Sequence, residues 1–285
     1  MSAWLINDQL SAMGERTFWH YLLEWFSELE FIAGKYTPFN EIVSLVNNSI
    51  DKPRYVIRNA TYFPWIDFKC PVISFVQDIV RGALKLQQEE VISKSDIVVY
   101  NSLYTKLMCG GFAGEVIPIG VDFDLFIPHK QLGSDVLFVG SSNSVKGPER
   151  LWHLIENTDY NFHVVMKDNK QFSYGRIEGY HKIDHVQLHK VMEKCFALVC
   201  TSEQETQHLA GIEAGAVNLS IVAPDVGIYH QLDESKFGVC VKDNDFVSAL
   251  NYVKQNPVRP REYLLSQGLD LESCKKRWKE LINEL

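Results

Sequence analysis

The 285-residue chain reads as an α/β protein built on parallel sheets. Short apolar runs alternate with helical segments from end to end, and the alternation falls into two series split by a proline- and glycine-bearing stretch. Composition agrees, because 46% hydrophobic residues can fill one large core or two smaller ones.

Taken in order, Trp4-Leu5-Ile6 opens the first series as a strand. Phe18, Leu22, Phe26 and Leu29 recur at helical spacing and predict one apolar helix face reaching residue 29. Tyr55-Val56-Ile57, Val72-Ile73-Ser74-Phe75-Val76 and Ile97-Val98-Val99-Tyr100 lack polar alternation, as strands covered on both faces do. Asp135 to Val139 starts the second series. His163 to Met166, Phe196 to Cys200, Ser220 to Ala223 and Gly238 to Val241 continue it. Between the series, Val116 to Pro128 carries two prolines and Gly120 and predicts an interdomain linker. The segment from Leu271 sets Trp278, Leu281, Ile282 and Leu285 beside Lys275, Lys276, Arg277 and Lys279, an amphipathic closing helix. The expected divisions are 1–125, 126–268 and 269–285.

A formal net charge of -8 removes any global attraction to polyanions. No apolar run is long enough to span a bilayer, and Met1-Ser2-Ala3-Trp4 lacks a basic region followed by an apolar core. These features predict a soluble, cytoplasmic protein with no membrane insertion. The six cysteines are scattered through apolar stretches and predict buried free thiols.

The most informative segment runs from Thr201 to Ala216. Phe196 to Cys200 is a buried parallel strand and Leu209 to Ala216 opens a helix. Glu205 therefore lies in the loop at the strand's carboxyl end, and Glu213 lies one to two turns into the helix. Ligands of open α/β sheets bind at that edge, where helix N-termini offer free N–H groups to phosphate. Two carboxylates there can accept hydrogen bonds from sugar and ribose hydroxyls.

The linker, a glycine-lysine loop and this segment occur in one fixed order, which resembles the GT-B glycosyltransferases of family 4. That family's linker pattern is matched by Pro118, Gly120, Val121, Asp122, Phe126 and Pro128. Its phosphate loop is matched by Val139, Gly140, Lys146 and Gly147, and its two-glutamate motif by Ser202, Glu205, Glu213 and Ala214. The segments 95–102 and 221–227 also fit, so the resemblance covers residues 95 to 230 and thins before them. It departs at Ser141, where the family has arginine, at Thr206-Gln207-His208, where it has Gly-Phe-Gly, and at Gln77-Asp78, where it has His-Asp.

The resemblance implies a GT-B fold, two Rossmann-like domains whose parallel sheets face across a cleft, with the closing helix returning to the first. It implies transfer of a sugar from a nucleotide donor, UDP-linked, to an acceptor hydroxyl with retention. No cofactor is implied beyond the UDP-sugar co-substrate. Lys146, Glu205 and Asp78 are the implied catalytic set. Donor contacts fall on Gly14, Arg16, Gly140, Ser141, Lys146, Gly179, Tyr180, Glu205, Thr206, Gln207, His208, Leu209, Ala210 and Glu213. Within that set Glu213 takes the ribose, Glu205 the sugar, Lys146 the diphosphate and Gly179-Tyr180 the base, while Arg16 stands in for the missing arginine.

Asp122-Phe123-Asp124 imitates a metal-binding pattern but reads as linker, and His181, His185 and His189 read as a solvated face, so no metal site is expected. The acceptor is expected to be a soluble glycan or small molecule. One alternative is a viral-type DNA glycosyltransferase acting on hydroxymethylated pyrimidines, which requires a basic patch of Arg54, Arg58, Lys69 and Arg81. A second is a non-catalytic nucleotide-sugar-binding protein.

Overall fold

The computed structural model describes residues 2–6, 18–33, 37–166 and 172–285. The chain divides into two compact units, Met1–Ile119 with Glu272–Leu285, and Gly120–Leu271. Gly14 and Arg16 lie outside the described residues.

The first unit is laid down as β1 (Ala3–Ile6), α1 (Phe18–Trp25), β2 (Leu29–Ala33), α2 (Phe39–Asn48), β3 (Val56–Asn59), β4 (Val72–Val76), α3 (Ala83–Lys94), β5 (Ile97–Tyr100), α4 (Leu103–Met108) and β6 (Glu115–Val116). Its six strands pair in parallel in the order β2-β1-β3-β4-β5-β6. Every residue of β1, β3 and β4 is buried, as the apolar runs predict for β1 and β4, while β3 also buries Arg58 and Asn59. The helix expected to reach Leu29 stops at Trp25. Leu29 N–H donates to Phe26 O, and the chain turns into β2 beside β1, keeping Leu29 in the core as an edge-strand residue.

The second unit contains β7 (Asp135–Gly140), α5 (Pro148–Glu156), β8 (Phe162–Met166), β9 (Phe172–Tyr174), β10 (Ile177–His181), α6 (His185–Met192), β11 (Cys195–Val199), α7 (Leu209–Ala216), β12 (Ser220–Ala223), α8 (Glu234–Phe237), β13 (Gly238–Cys240), α9 (Phe246–Gln255) and α10 (Arg261–Ser266). The sheet order is β13-β12-β11-β7-β8-β10-β9, parallel except for β9 on β10. The β9–β10 pair escaped sequence reading, because Ile177 to His181 mixes Glu, Gly and His in a run too polar to resemble a core strand. Apolar clusters cover both faces of this sheet.

The closing helix α11 (Leu271–Asn283) buries Cys274, Trp278, Leu281 and Ile282 in the core of the first unit. The Trp278 ring centroid lies 5.7 Å from both Phe18 and Phe75. The divide between units falls at 119/120 and 271/272, ahead of the 125/126 boundary read from sequence. The reason is local. Val121 N–H donates to Leu269 O at 2.9 Å, and Phe123 and Phe126 are buried in the second core. Arg261 then ties that stretch down, donating to Phe126 O at 2.7 Å, Ala216 O at 2.8 Å and Phe123 O at 3.0 Å. The Asp122 carboxylate accepts from the amides of Asp124 and Leu125, so the apparent metal motif caps a turn.

The basic patch required for DNA does not assemble as expected. Arg58 is 1% exposed, its guanidinium spent on the carbonyls of Asn59, Phe63 and Pro64. Arg54 and Lys69 precede the starts of β3 and β4, whereas Arg81 follows the far end of β4. Parallel strands of this length hold those two edges on the order of 15 Å apart. All six cysteines are free, and four of them, Cys109, Cys195, Cys200 and Cys274, are buried. No helix among the described residues is long and apolar enough to cross a membrane.

Candidate functional site

The phosphate loop and the two-glutamate segment meet at the carboxyl edge of β7 and β11, neighbours in the second sheet. After β7 ends at Gly140, Asn143 caps a short 3-10 turn, Ser144–Lys146, through Val145 N–H at 3.1 Å. Gly147 then takes a left-handed turn at φ 61°, and a Cβ there would lie 2.1 Å from Thr201 O, so only glycine fits. The loop is stitched to the segment after β11. Thr201 Oγ1 donates to Lys146 O at 2.7 Å, and Glu203 N–H to Val145 O at 2.8 Å. Arg150 adds a hydrogen bond to Thr201 O at 3.2 Å.

This stitching brings Lys146 Nζ to 2.6 Å from Glu205 Oε1, which also accepts from Ser202 Oγ at 2.6 Å. Glu205 is 8% exposed and Lys146 is 30% exposed at its side chain. Burial alone pushes the Glu205 carboxyl up, but His208, Lys146 and the Ser202 hydroxyl outweigh it and hold the group below the usual carboxylate range. The carboxylate is thus kept charged in a dry setting where its hydrogen bonds are strong.

Helix α7 begins at Leu209, as read from sequence, with His208 as its N-cap residue and Leu209 and Ala210 in its first turn. Those two residues are only partly covered, so their amide donors are available at the positive end of the helix. Thr206 and Gln207 shape the turn ahead of it, and Gln207 O accepts from Ile228 N–H at 3.3 Å. Glu213, buried on α7, lies 3.6 Å from His185 Nε2 at the start of α6. This corrects the histidine reading. His181 ends β10, while the half-exposed His185 faces Glu213 and His189 contacts Ile127 O at 3.0 Å, so both helix histidines have partners on a partly solvated face.

Gly179 and Tyr180 lie within β10, where Gly179 pairs Val164 on one side and Phe172 on the other. Their backbone groups serve the sheet, and the exit toward α6 begins at His181. The Tyr180 hydroxyl contacts His163 Nδ1 at 3.0 Å, and His163 Nε2 contacts Asp135 Oδ2 at 2.9 Å, a partly buried chain of polar groups centred on the buried His163. Ser141 follows β7 and accepts a long 3.4 Å contact from Asn143 N–H.

Asp78, the third residue of the expected catalytic set, belongs to the first unit. It follows β4, and its carbonyl accepts from Gln88 Nε2 at 2.9 Å. Sequence reasoning missed Tyr229, whose hydroxyl lies 2.5 Å from His208 Nδ1. It also left Ser202 outside the expected donor set. The motif match at Ser202 was the available signal for one, and nothing local marked the other. Among the described residues Cys200, Glu205 and His208 place potential metal-ligating atoms within 4.8 Å of one another. The ammonium of Lys146 lies against one Glu205 oxygen, and burial pushes the Cys200 thiol up to about 12.

No protein-family model matches the chain, and no curated protein matches it in sequence. Solved structures do resemble it over its whole length. Sucrose-phosphate synthase from Thermosynechococcus elongatus superposes with a TM-score of 0.80 at 14% identity, covering 100% of this chain and 99% of that one. HepE from Anabaena in complex with UDP-glucose gives 0.75 at 14% identity, with 100% of both chains covered. AviGT4, a glycosyltransferase of avilamycin A biosynthesis, gives 0.67 at 13% identity over 98% and 96%. The chain therefore has the GT-B fold of nucleotide-sugar glycosyltransferases.

Proposed function

We propose that this protein is a retaining glycosyltransferase of the family 4 type, moving a sugar from a UDP donor to an acceptor hydroxyl. The carrying observation is the junction of Lys146, Glu205 and the start of α7 at one sheet edge. The HepE structures with UDP and UDP-glucose, similar over the whole chain, support that reading.

In this reading Glu213 accepts from the ribose hydroxyls and Glu205 from hydroxyls of the sugar. Lys146 and the amides of Leu209 and Ala210 face the diphosphate. The anomeric C–O bond breaks toward UDP, whose growing negative charge is stabilised by Lys146 and the helix terminus. The acceptor oxygen bonds to the anomeric carbon on the face that the diphosphate leaves, and its proton passes to a phosphate oxygen. The protein's contribution is positioning and charge, with no side-chain nucleophile and no metal. The acceptor is a soluble glycan or small molecule.

A thermal-shift panel of UDP, UDP-glucose, GDP and ADP tests the donor. Selective stabilisation by the uridine compounds is expected through linkage. Equal, negligible shifts for all four would remove the proposal. Turnover that survives chelator and is lost in Glu205→Gln would separate an enzyme from a binding protein.

A further inference from the structure

The residue standing where a flexible turn would suffice is a histidine, and the structure gives it a partner outside the motif. His208 is 8% exposed and adopts φ 68° and ψ 68°, a left-handed conformation that costs a residue with a Cβ unless its side chain is held. Tyr229, in the 3-10 turn Gly227–Gln231 after β12, holds it at 2.5 Å. Gly211 makes the room. A Cβ there would lie 1.7 Å from Tyr229 Oη and 2.8 Å from His208 Nδ1.

We propose that Tyr229 and His208 form a positioning pair for Glu205, the phenol fixing the imidazole's tautomer and the imidazole anchoring the carboxylate that addresses the transferred sugar. The inference rests on the donor-site reading above. Burial pushes the Tyr229 phenol far above its ordinary range, so it keeps its proton. His208 Nδ1 is its hydrogen-bond partner among the described residues. The phenol therefore donates to Nδ1, and the ring's own N–H is assigned to Nε2. Burial also lowers the His208 pKa, which leaves a neutral ring.

Four titratable groups surround that ring: Glu205, Lys146, Tyr229 and Cys200. A ring nitrogen, a Glu205 oxygen and the Cys200 sulfur lie within 4.8 Å of one another. Lys146 cannot serve both Glu205 and a diphosphate at full strength. When it turns to the diphosphate, Ser202 and the neutral His208 ring remain beside Glu205 to hold it in place.

Histidine-selective nitrogen NMR on the folded protein reads the first half directly. The His208 signals should show an unprotonated Nδ1 and a protonated Nε2 between pH 6 and 8, and Tyr229→Phe should lose that pattern. An Nδ1–H tautomer in the wild type overturns the pairing, whatever the protein's activity. Kinetics with UDP-glucose read the second half. Tyr229→Phe should lower kcat about 10-fold, keep the UDP Kd within about 2-fold, and move the acid limb of the kcat profile to higher pH. His208→Asn, which tolerates left-handed backbone and donates through its amide, should keep part of the activity. A Tyr229→Phe variant with wild-type kcat and pH profile overturns the proposal, and so does an equal loss of UDP binding and turnover, the mark of a merely structural role. Absence of any UDP binding by the wild type would instead fail the donor-site reading, with the NMR pattern still deciding the pair.

Discussion

The two sheets each present a carboxyl edge of parallel strands, and those edges hold opposite kinds of polar group. At the β7–β11 edge each polar side chain that matters has a partner: Glu205 has Lys146 and Ser202, His208 has Tyr229, and Thr201 has the Lys146 carbonyl. At the β3–β5 edge, Asn59 Nδ2, Tyr100 Oη and Asn101 Oδ1 are buried with no hydrogen-bond partner among the described residues. A pre-satisfied network suits a fixed ligand such as a nucleotide diphosphate. Polar atoms left unpaired cost stability and leave recognition to what binds there. That contrast accords with the donor site proposed for the β7–β11 edge.

The largest expected effect tests whether the first unit is held by apolar packing. Trp278→Ala removes a fully buried ring packed on Phe18 and Phe75 and should destabilise the protein by about 3–5 kcal/mol, read by calorimetry. Below the lowered melting temperature, UDP affinity should stay within about 3-fold if the donor site belongs to the second unit. Next in size, Lys146→Ala should slow turnover on the order of 100-fold, because it removes the cation facing the leaving diphosphate. Loss of stability without loss of kcat would make the 2.6 Å pair with Glu205 purely structural.

A smaller effect separates the two glutamates. Glu213→Ala should weaken UDP about 10-fold in a calorimetric titration, while its effect on binding of 2′-deoxy-UDP should be slight. Equal weakening of both would remove the ribose from its role. The smallest concerns acid stability. Burial raises the Asp135 carboxyl, but hydrogen bonds from His163, Ser134 and Asn161 bring it below its ordinary value. A depressed folded pKa contributes stability that is fully present above the unfolded value, about 3.9, and is lost as pH falls through the lower folded value. Asp135→Asn should therefore flatten the stability profile in that window, lowering stability at pH 7 and changing little at pH values below it. An unchanged acid profile would show that the His163 network carries no such linkage.

Much of the architecture was legible because buried parallel strands are written as unbroken apolar runs. The expected β4 and β12 segments coincide with the observed Val72–Val76 and Ser220–Ala223 strands, and α7 begins at Leu209 as the loop chemistry requires. Legibility failed where packing overrode local pattern. Leu29 matched a helical period but became an edge strand, because pairing with β1 satisfies its backbone while keeping its side chain in the core. Arg58 looked like surface charge and is buried, since the carbonyls of residues 59, 63 and 64 solvate it from one loop.

By itself the sequence determined the alternating α/β architecture, the linker region and the short-range chemistry of the Thr201–Ala216 segment, because all three depend on spacing within a few turns of chain. Tertiary structure alone decided that Lys146 reaches Glu205, that His185 faces Glu213, and that Tyr229 passes Gly211 to reach His208. Those pairs join residues far apart along the chain, and only the register of neighbouring strands and the missing Cβ of single glycines set them within hydrogen-bond or ion-pair range.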